Sequence, residues 1–420
     1  MGDMGQGTLV IRGGQVIDCT GRDPIPNGSV VLEDGHIAAV GPSQDVRAPR
    51  SADIFDADGM SVLPGLIDAH VHITMTGGAD LVSMVTSRSF GRVAYDTVAH
   101  LRDTVRAGVT SIRTMGDVGF LDIAARDAIR RGQFIGPRIV ACGKGLTSTG
   151  GHAVLMPPWI KTEYGDSWEI VNDTGGARAA VRRQVEAGAD HIKVFQTGGV
   201  IDPGGRIDAE EFTVEELSAI VETARACKRP VACHAHNKAG ILHAIEAGVR
   251  SIEHGMYFDD ECAARAKARD VFFVPTLIVM DNILRLGPQH GVPEFYLQNI
   301  SSRTPQHHGN VRSAFEAGVR IVTGTDAGSV LTGHGAPGYE VAMLVKAGLP
   351  PMAALLAATA NAAALLGIDR EVGTLEAGKC ADVIVVRGDA LADPTVVAGP
   401  DRMAAVFVGG ASLGQAQAAA

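Results

Sequence analysis

Two pairs of histidines are spaced so that both rings of a pair could bind one metal ion. His70 and His72 form the first pair, and His234 and His236 form the second. Residues two positions apart on a β-strand lie on the same face, and imidazole is a common zinc ligand. A single His-x-His pair is a weak signal. It indicates a metal site only if the fold brings further ligands to the same place.

Three more residues have types that suit a metal centre: Lys193 in "HIKVF", His254 in "SIEHG" and Asp326 in "GTDAG". His254 or Asp326 alone would be explained by a turn or by a satisfied polar group. Lys193 lies within an apolar, strand-like run, where a buried ammonium is costly unless it is paired. An exposed edge strand would explain Lys193 taken alone.

The elements that carry these residues favour a shared site. Apolar runs typical of buried strands alternate eight times with amphipathic stretches typical of helices, several of which end in Ala-Gly. This alternation predicts an α/β fold, a (β/α)8 TIM barrel, in which active sites lie at the carboxyl ends of the strands. The last of the eight runs is "VRIVTGTD", which ends at Asp326. The candidate residues would therefore converge at one mouth of the barrel.

The two ends of the chain differ from the middle. They hold short runs rich in valine and isoleucine, separated by Gly-Gly, Asp-Gly and Pro-Gly pairs that are typical of turns between strands. We therefore expect residues 1–62 and 375–413 to form one small β-sandwich domain. Residues 63–374 would form the catalytic barrel, and residues 414–420 a disordered tail.

A site for two divalent ions would give Lys193 a chemical role. Two close cations need an anionic bridge, and a protonated lysine cannot supply one because only a neutral amine or an anion binds metal. A lysine amine that has reacted with carbon dioxide becomes a carbamate, which is anionic and has two oxygens. A carbamate on Lys193 is therefore our hypothesis for this position.

In the order of its motifs, the sequence resembles the amidohydrolase superfamily along nearly the whole chain. "LPGLIDAHVH" looks like the first-strand signature, "HIKVF" like the lysine strand of binuclear members, and "VACHAHN", "SIEHG" and "GTDAG" like the later ligand strands. "GTLEAGKCADVIVVRGDAL" resembles the segment that returns the chain to the small β-domain. The resemblance implies a distorted (β/α)8 barrel with a β-sandwich built from both termini.

The resemblance also implies roles for individual residues. It implies that two divalent metal ions, zinc by default, lie on either side of a carbamate on Lys193, with a hydroxide between them. The implied metal ligands are His70, His72, Lys193, His234, His254 and Asp326. Asp326 would take a proton from the attacking hydroxide and pass it to the leaving nitrogen. His236 does not match a ligand position and is expected to face the substrate.

The loops resemble one branch of the superfamily, which includes imidazolonepropionases, prolidase-like dipeptidases and carboxypeptidases, and ochratoxin-hydrolysing enzymes. Imidazolonepropionases are mononuclear and lack the lysine, so Lys193 favours the binuclear side. The expected substrate is an N-acyl amino acid or a dipeptide, including substrates with an aromatic acyl group. A urea, carbamate or cyclic-amide hydrolase remains an alternative, as does a catalytically inactive homologue.

The expected substrate contacts are His152, His236, Tyr257 and Arg88, with Arg113 as a further cation that could pair with a carboxylate. Loop packing is the alternative explanation for His152 and Tyr257. Residues 157–168 carry aromatic side chains and could form a lid or an oligomer contact. Residues 289–299 and the pair His307–His308 are expected to be surface features.

Composition excludes several classes of protein. The net charge of −10 comes from interspersed charges, which argues against nucleic-acid binding. The six cysteines form no CxxC pair, which fits a reducing compartment. No signal peptide and no run of about 18 apolar residues is evident, so we expect a cytoplasmic protein without a membrane span. The resemblance further suggests that the protein forms a homo-oligomer. It also suggests that the molecule it binds is a small amide or dipeptide substrate.

Overall fold

The computed structural model describes residues 7–152, 154, 159–160, 167–202 and 206–413. Over these residues the chain is a mixed α/β fold, as predicted. The strands are β1 (Leu9–Val16), β2 (Ile25–Glu33), β3 (His36–Pro42), β4 (Asp53–Asp56), β5 (Met60–Pro64), β6 (Leu66–Val71), β7 (Val109–Thr114), β8 (Arg138–Val140), β9 (Gly145–Thr147), β10 (Trp168–Ile170), β11 (Ile192–Phe195), β12 (Val231–Ala235), β13 (Ser251–His254), β14 (Phe272–Val274), β15 (Val383–Arg387), β16 (Met403–Val408) and β17 (Ala411–Ser412). The helices are α1 (Leu81–Thr86), α2 (Phe90–Arg106), α3 (Leu121–Arg130), α4 (Thr174–Ala187), α5 (Val214–Ala226), α6 (Lys238–Ala247), α7 (Asp260–Ala268), α8 (Leu277–His290), α9 (Glu294–Ser301), α10 (Thr304–Glu316), α11 (Pro337–Lys346), α12 (Pro351–Ala357) and α13 (Ala360–Leu366), and short 3-10 helices cover Val118–Phe120, Arg206–Asp208, Pro394–Val397 and Pro400–Arg402. The predicted tail, residues 414–420, lies outside the described residues.

The chain divides into two compact units, and the first comprises Met1–Asp68, Asp103–Ser111 and Gly335–Ala420. Its main feature is an eight-stranded sheet in the order β17-β16-β15-β5-β1-β2-β3, with β4 paired to β1. Strand β15 pairs antiparallel with both β5 and β16, so strands from both chain ends share one sheet. Buried side chains such as Ile11 and Phe407 form its core. The predicted domain boundaries at residues 62 and 375 stay a prediction.

The second unit comprises Ala69–Arg102 and Ile112–His334. It holds a six-stranded sheet in the order β10-β9-β11-β12-β13-β14, in which neighbouring strands run parallel. Helices α5, α6 and α7 connect its successive strands from β11 to β14, as expected for parallel strands that need crossover connections. Strands β6, β7 and β8 form a separate three-stranded sheet.

Local sequence explains where these helices start and stop. Helix α5 begins with a capping box, in which Thr213 and Glu216 each accept a hydrogen bond from the other's backbone N–H. Asn237 caps α6 by accepting from the Gly240 N–H. Gly188 and Gly248 end α4 and α6 in the left-handed conformation that the Ala-Gly pairs predict.

The eighth predicted strand differs from the expectation. In "VRIVTGTD" the structure has no regular strand, but only isolated parallel bridges that join Ile321 to Phe273 of β14 and Ala327 to Val71 of β6. The described strands therefore form three sheets and not one closed barrel. The helical segment that precedes the return to the first sheet is divided into α12 and α13.

No helix among the described residues is both long enough and apolar enough to cross a lipid bilayer.

Candidate functional site

The first predicted ligand group is assembled at the end of β6. His70 and His72 are both buried there, and their Nε2 atoms lie 3.6 and 3.3 Å from Asp326 Oδ1. One ligand atom from each of the three residues lies within 4.8 Å of the other two. Among the His, Cys, Asp and Glu side chains of the described residues, this is the one such group of three. It confirms that the fold brings these three predicted residues together.

The orientation of the two imidazoles leaves their Nε2 atoms facing Asp326. His70 Nδ1 is hydrogen-bonded to Glu253 Oε2 at 2.9 Å, and His72 Nδ1 to the Gly116 carbonyl at 3.0 Å. Histidines that bind a metal usually donate their second N–H to a carboxylate or carbonyl, which fixes the ring. The protein supplies that second bond to both rings, so this group fits a metal ion.

A second group lies beside the first. The His254 ring is 4.8 Å from the His70 ring and 4.5 Å from the His234 ring, measured between centroids. His254 Nδ1 is hydrogen-bonded to Thr276 Oγ1 at 2.7 Å, whereas His234 has a long contact of 3.5 Å from Nε2 to the Gly198 carbonyl. The predicted ligands on β12 and β13 thus face the same cavity as those on β6.

Lys193 is buried at the base of this cavity. Its side chain is fully buried, and Nζ has no hydrogen-bond partner among the described residues. It lies 4.8 Å from the centroid of the Phe195 ring. The edge-strand explanation is therefore wrong, since β11 lies between β9 and β12 in the sheet. A buried amine without a hydrogen-bond partner among these residues calls for a chemical explanation.

One residue in this network was missed by sequence reasoning. Glu253 is fully buried on β13, and one of its oxygens accepts the hydrogen bond from His70. The other accepts from Arg113 Nη2 at 2.8 Å and from Ser251 Oγ at 2.5 Å. Arg113 also donates to the Ala69 carbonyl, so it has a structural role here. An acidic residue within a buried strand, one position before a histidine, was the available signal.

The backbone is strained where two of the predicted ligands lie. His254 has φ of 68° and Asp326 has φ of 58°, both in the left-handed region that residues other than glycine rarely adopt. Such conformations cost about 1–3 kcal/mol each and cluster at functional sites. Close packing adds to the constraint, since a Cβ on Gly324 would lie 2.7 Å from His70 Cβ. The "GTDAG" motif therefore needs its first glycine to bring Asp326 beside His70.

Burial and mutual repulsion keep the clustered histidines neutral. Burial and the nearby Lys193 lower the pKa of His70 to about 4. Burial also lowers the pKa of His234 and of His254 well below the usual value, with added repulsion from neighbouring imidazoles. Neutral imidazole is the form that binds metal, so the site is electrostatically prepared for ligation at neutral pH.

Lys193 and Asp326 are shifted in ways that suit their predicted roles. Burial lowers the pKa of Lys193, which increases the fraction of neutral amine. Burial alone would raise the pKa of Asp326, but the neighbouring His72 and His70 imidazoles and the nearby Lys193 outweigh it and lower the pKa to about 2. Asp326 is therefore an anion available as a ligand and as a proton acceptor.

His152 is the best placed of the predicted substrate contacts. It lines the cavity, and its ring stacks on His234 with centroids 4.2 Å apart. Its Nδ1 is hydrogen-bonded to Asp202 Oδ2 at 2.9 Å. Burial lowers the pKa of His152, but the charge and hydrogen bond of Asp202 outweigh it, so the pKa is raised. Asp202 thus favours the cationic form of His152.

The other three predicted contacts differ in position. His236 lines the cavity, and its ring stacks 5.2 Å from that of His254. Tyr257 does not line it, and its hydroxyl accepts a hydrogen bond from Arg303 at 2.6 Å. Arg88 lies outside the lining too, since it donates to the Met84 and Thr74 carbonyls and pairs with Asp96.

The rest of the cavity wall is mostly apolar, with Ser329 as a polar exception. Its lining side chains without a polar group are Met75, Leu81, Phe195, Val200, Ile201, Val279, Met280 and Ile283. Trp168 also lines it, packed edge-on against His72. The remaining part of the predicted lid at residues 157–168 lies mostly outside the described residues, and Trp159 is 81% exposed.

One expectation about the surface is wrong. His307 is buried, and its Nε2 donates a hydrogen bond of 2.7 Å to the His254 carbonyl. It therefore supports the strained backbone of a predicted ligand. The buried residues of α10, His307, Val311 and Ala314, recur at helical spacing, and this periodicity was the available signal.

Comparison with known proteins agrees with this geometry. The sequence profile of the amidohydrolase family matches residues 61–413. The chain is similar to ochratoxinase from Aspergillus niger, with 31% identity over 96% of this chain and 85% of that protein. Among solved structures it is similar to a Xaa-Pro dipeptidase with methionine bound in the active site (32% identity, TM-score 0.86, 96% of this chain and 99% of that one). It is also similar to a prolidase complexed with N-methylphosphonate-L-proline (29% identity, TM-score 0.87, 97% of this chain and 100% of that one). The chain therefore belongs to the amidohydrolase family of hydrolases, whose members generally use metal ions.

Proposed function

We propose that this protein is a binuclear metal-dependent hydrolase that cleaves the amide bond of an N-acyl amino acid or a dipeptide. The observation that carries the proposal is the convergence of His70, His72, Lys193, His234, His254 and Asp326 on one cavity. Of these, His70, His72 and Asp326 would hold one metal ion, and His234 and His254 the other. The unpartnered amine of Lys193, as a carbamate, would lie between them.

The chemistry divides between the metal ions and the chain. Bound divalent ions activate water at neutral pH and polarise a carbonyl group. Asp326 accepts the proton of the attacking water and returns it to the amide nitrogen as the C–N bond breaks. Its low pKa supplies the anion needed for the first transfer. Glu253 holds His70 in the orientation that directs Nε2 toward Asp326.

Formation of the carbamate is a balanced reaction of this chain with carbon dioxide. The neutral Lys193 amine attacks the carbon, an N–C bond forms, and one proton is released. Two features of the site support the modification: the amine is buried without a hydrogen-bond partner, and burial lowers its pKa. The anion produced would also offset the positive charge of two metal ions.

The cavity also favours a class of substrate. The cationic tendency of His152, held by Asp202, suits a substrate carboxylate. His236 would contact the substrate beside His152. Tyr257 and Arg88 lie outside the cavity lining. Leu81, Val279 and Ile283 provide an apolar wall for a hydrophobic side chain. Substrates named for the similar proteins, ochratoxin and Xaa-Pro dipeptides, combine an amide with these features.

The proposal includes a distorted (β/α)8 barrel and a β-sandwich, since this architecture would bring the ligand strands together. The backbone bonds that support it join Ala69 N to the Thr323 carbonyl and Val322 N to the Phe273 carbonyl. They place the "VRIVTGTD" segment between β6 and β14, where an eighth strand would lie. We also propose that the protein acts on a small molecule in the cytoplasm and that it assembles as a homo-oligomer.

A substrate panel tests the function. Zinc-loaded protein would be assayed with dipeptides, N-acyl amino acids, ochratoxin-like amides, phenylureas and cyclic amides. We expect release of the amino acid from dipeptides or acyl amino acids, and weaker turnover when the substrate carboxylate is amidated. Hydrolysis of ureas or cyclic amides alone would overturn the proposed substrate class. An absence of turnover with two metal ions bound would favour the inactive homologue.

A further inference from the structure

A second cavity, of about 380 Å³, lies at the other end of strands β12 and β13 from His234 and His254. Val231, the first residue of β12, and Arg250, which precedes β13, both line it. The volume is within the range of about 300–1,000 Å³ found for small-molecule sites. This cavity is separate from the histidine cluster and takes no part in the proposed hydrolysis.

The lining is strongly cationic. It contains the side chains of Arg225, Lys228, Arg229, Arg250, Arg269 and one acid, Asp270. The chain as a whole has a net charge of −10, so its overall composition does not account for this local concentration of cations. Clusters of arginine and lysine in a concave site are typical of phosphate recognition, because guanidinium groups bind phosphate oxygens in a bidentate way.

Nearby acids neutralise only part of this charge. Asp270 is shared between Arg250 and Arg320, and Glu246 is paired with Arg269 and Arg265. Among the described residues, the side chains of Arg225 and Lys228 have no hydrogen bond or ion pair.

Helix ends provide an alternative reason for cations here. Helices α5, α6 and α7 all end beside the cavity, and each carboxyl end contributes about half a negative charge. Three ends would balance about one and a half of the three charges on Arg225, Lys228 and Arg229. A positive surplus of more than one charge therefore remains, and it is concentrated on these three side chains.

The backbone at Lys228 is a second, independent observation. Lys228 has φ of 58°, in the left-handed region that follows a helix end. At the corresponding position the chain has Gly188 after α4, Gly248 after α6 and Asp270, with φ of 56°, after α7. A left-handed residue with a side chain costs about 1–2 kcal/mol. The chain accepts that strain at Lys228, where glycine would relieve it but would remove the cation from the cavity.

We propose that this cation-lined cavity binds a small polyanion with two or more phosphate groups. Arg225, Lys228 and Arg229 would contact the phosphates, since none of the three is paired with an acid among the described residues. Arg250 is held against the Phe272 ring, 4.5 Å from its centroid, and forms one wall. Binding here is independent of the histidine cluster.

Isothermal titration calorimetry with inorganic pyrophosphate on the zinc-loaded protein tests the site. We expect saturable binding that weakens at least tenfold in Lys228→Gly and in Arg225→Gln. Lys228→Arg should retain binding, because it keeps the charge. Lys228→Gly should also melt at an equal or higher temperature than the native chain without ligand, because glycine relieves the left-handed strain. Loss of binding in this variant would then not come from unfolding.

The control is Arg312→Gln, which removes an exposed cation of α10. Arg312 pairs with Glu316 on the same helix and is not part of the cavity lining. It should bind pyrophosphate like the native chain. Pyrophosphate can also bind zinc at the histidine site, but that heat is common to every variant. Equal heats for the native chain, Lys228→Gly and Arg225→Gln would overturn the proposal, as would equal weakening in Arg312→Gln.

Discussion

The two halves of the histidine cluster are built differently. In the half formed by His70, His72 and Asp326, each imidazole has its Nδ1 hydrogen-bonded to a protein group within 3.0 Å. In the half formed by Lys193, His234 and His254, the amine has no hydrogen-bond partner in the part of the chain that the structure describes, and His234 has a contact of 3.5 Å. Only His254 is held by a short bond, to Thr276.

This difference indicates that the side chains of one half are already held in position. We call the half formed by His70, His72 and Asp326 the prepared half. A ring whose second nitrogen is anchored loses little freedom when it binds a metal, so the first half should bind its ion more tightly. The second half has no carboxylate among its three residues, and the carbamate that we propose on Lys193 would supply its anion. We therefore expect the two sites to load in sequence, the first half before the second.

Asp326→Asn should have the largest effect on activity. The substitution removes the proton acceptor and an anionic ligand of the prepared half, while nearly preserving the shape of the side chain. We expect turnover to fall by about 10²–10⁴-fold, the usual contribution of general acid–base catalysis, with KM changed much less. Steady-state kinetics with metal content measured in the same sample provide the test. Turnover within a few-fold of the native value would refute the role of Asp326.

Lys193→Ala should lower metal binding in the second half while the prepared half still binds its ion. We expect the bound metal to fall from two equivalents to about one, because the prepared half keeps its ligands while the bridge is lost. Elemental analysis after gel filtration measures this, and short carboxylic acids should partly restore the second equivalent and activity. Lys193→Arg is the matched control, since it keeps the cation but cannot form a carbamate. Full metal content in Lys193→Ala would disprove the bridge.

Glu253→Gln should weaken the prepared half selectively. The amide keeps the size of the side chain but removes the charge that holds His70 and pairs with Arg113. We expect zinc affinity of the tighter site to fall by about 10–100-fold, as for other partners of metal ligands. Competition with a chromophoric chelator measures both affinities. A larger loss at the weaker site than at the tighter one would reverse our assignment of the two halves.

The smallest expected effect concerns Glu211, which holds the loop before His152. Its carboxylate accepts hydrogen bonds from Thr147 Oγ1 and the Ser148 N–H, and burial raises its pKa from 4.5 to about 7. A raised carboxyl pKa means that the folded chain binds more protons between pH 4.5 and 7, so stability falls as pH rises through that range. Relative to Glu211→Gln, the native chain should lose about 1–3 kcal/mol between pH 4.5 and 8.

Denaturant unfolding of both chains at several pH values measures that difference. The metal-free forms would be compared, so that ligand protonation in the histidine cluster is the same in both. A difference in unfolding free energy that stays constant with pH would contradict the raised pKa of Glu211.

Residue types and spacing were sufficient to predict which residues cluster. His70, His72 and Asp326 lie together as expected, because alternation puts both histidines on one face of β6 and the repeated strand-helix pattern predicted Asp326 beside them. The mixed α/β fold and most strands were also predictable, since buried parallel strands read as continuous apolar runs. The Ala-Gly ends of α4 and α6 were predictable for the same reason, as a local backbone requirement.

Other features depended on contacts between distant parts of the chain. Glu253 pairs with Arg113 and His70, which are 140 and 183 residues away in sequence, so its partners could not be predicted from the local pattern around it. His307 was predicted at the surface, yet it is buried against the His254 carbonyl. Tyr257 and Arg88 have suitable chemistry, but other groups already bind them outside the cavity lining.

The sequence by itself therefore determined which residue types could bind metal and on which strands they lie. The tertiary structure decided which nitrogen of each imidazole is anchored, which charges are paired, and that Lys193 is buried without a partner. The physical reason is that ligand identity is a property of single side chains, whereas orientation, burial and pKa arise from neighbours that only the folded chain brings together.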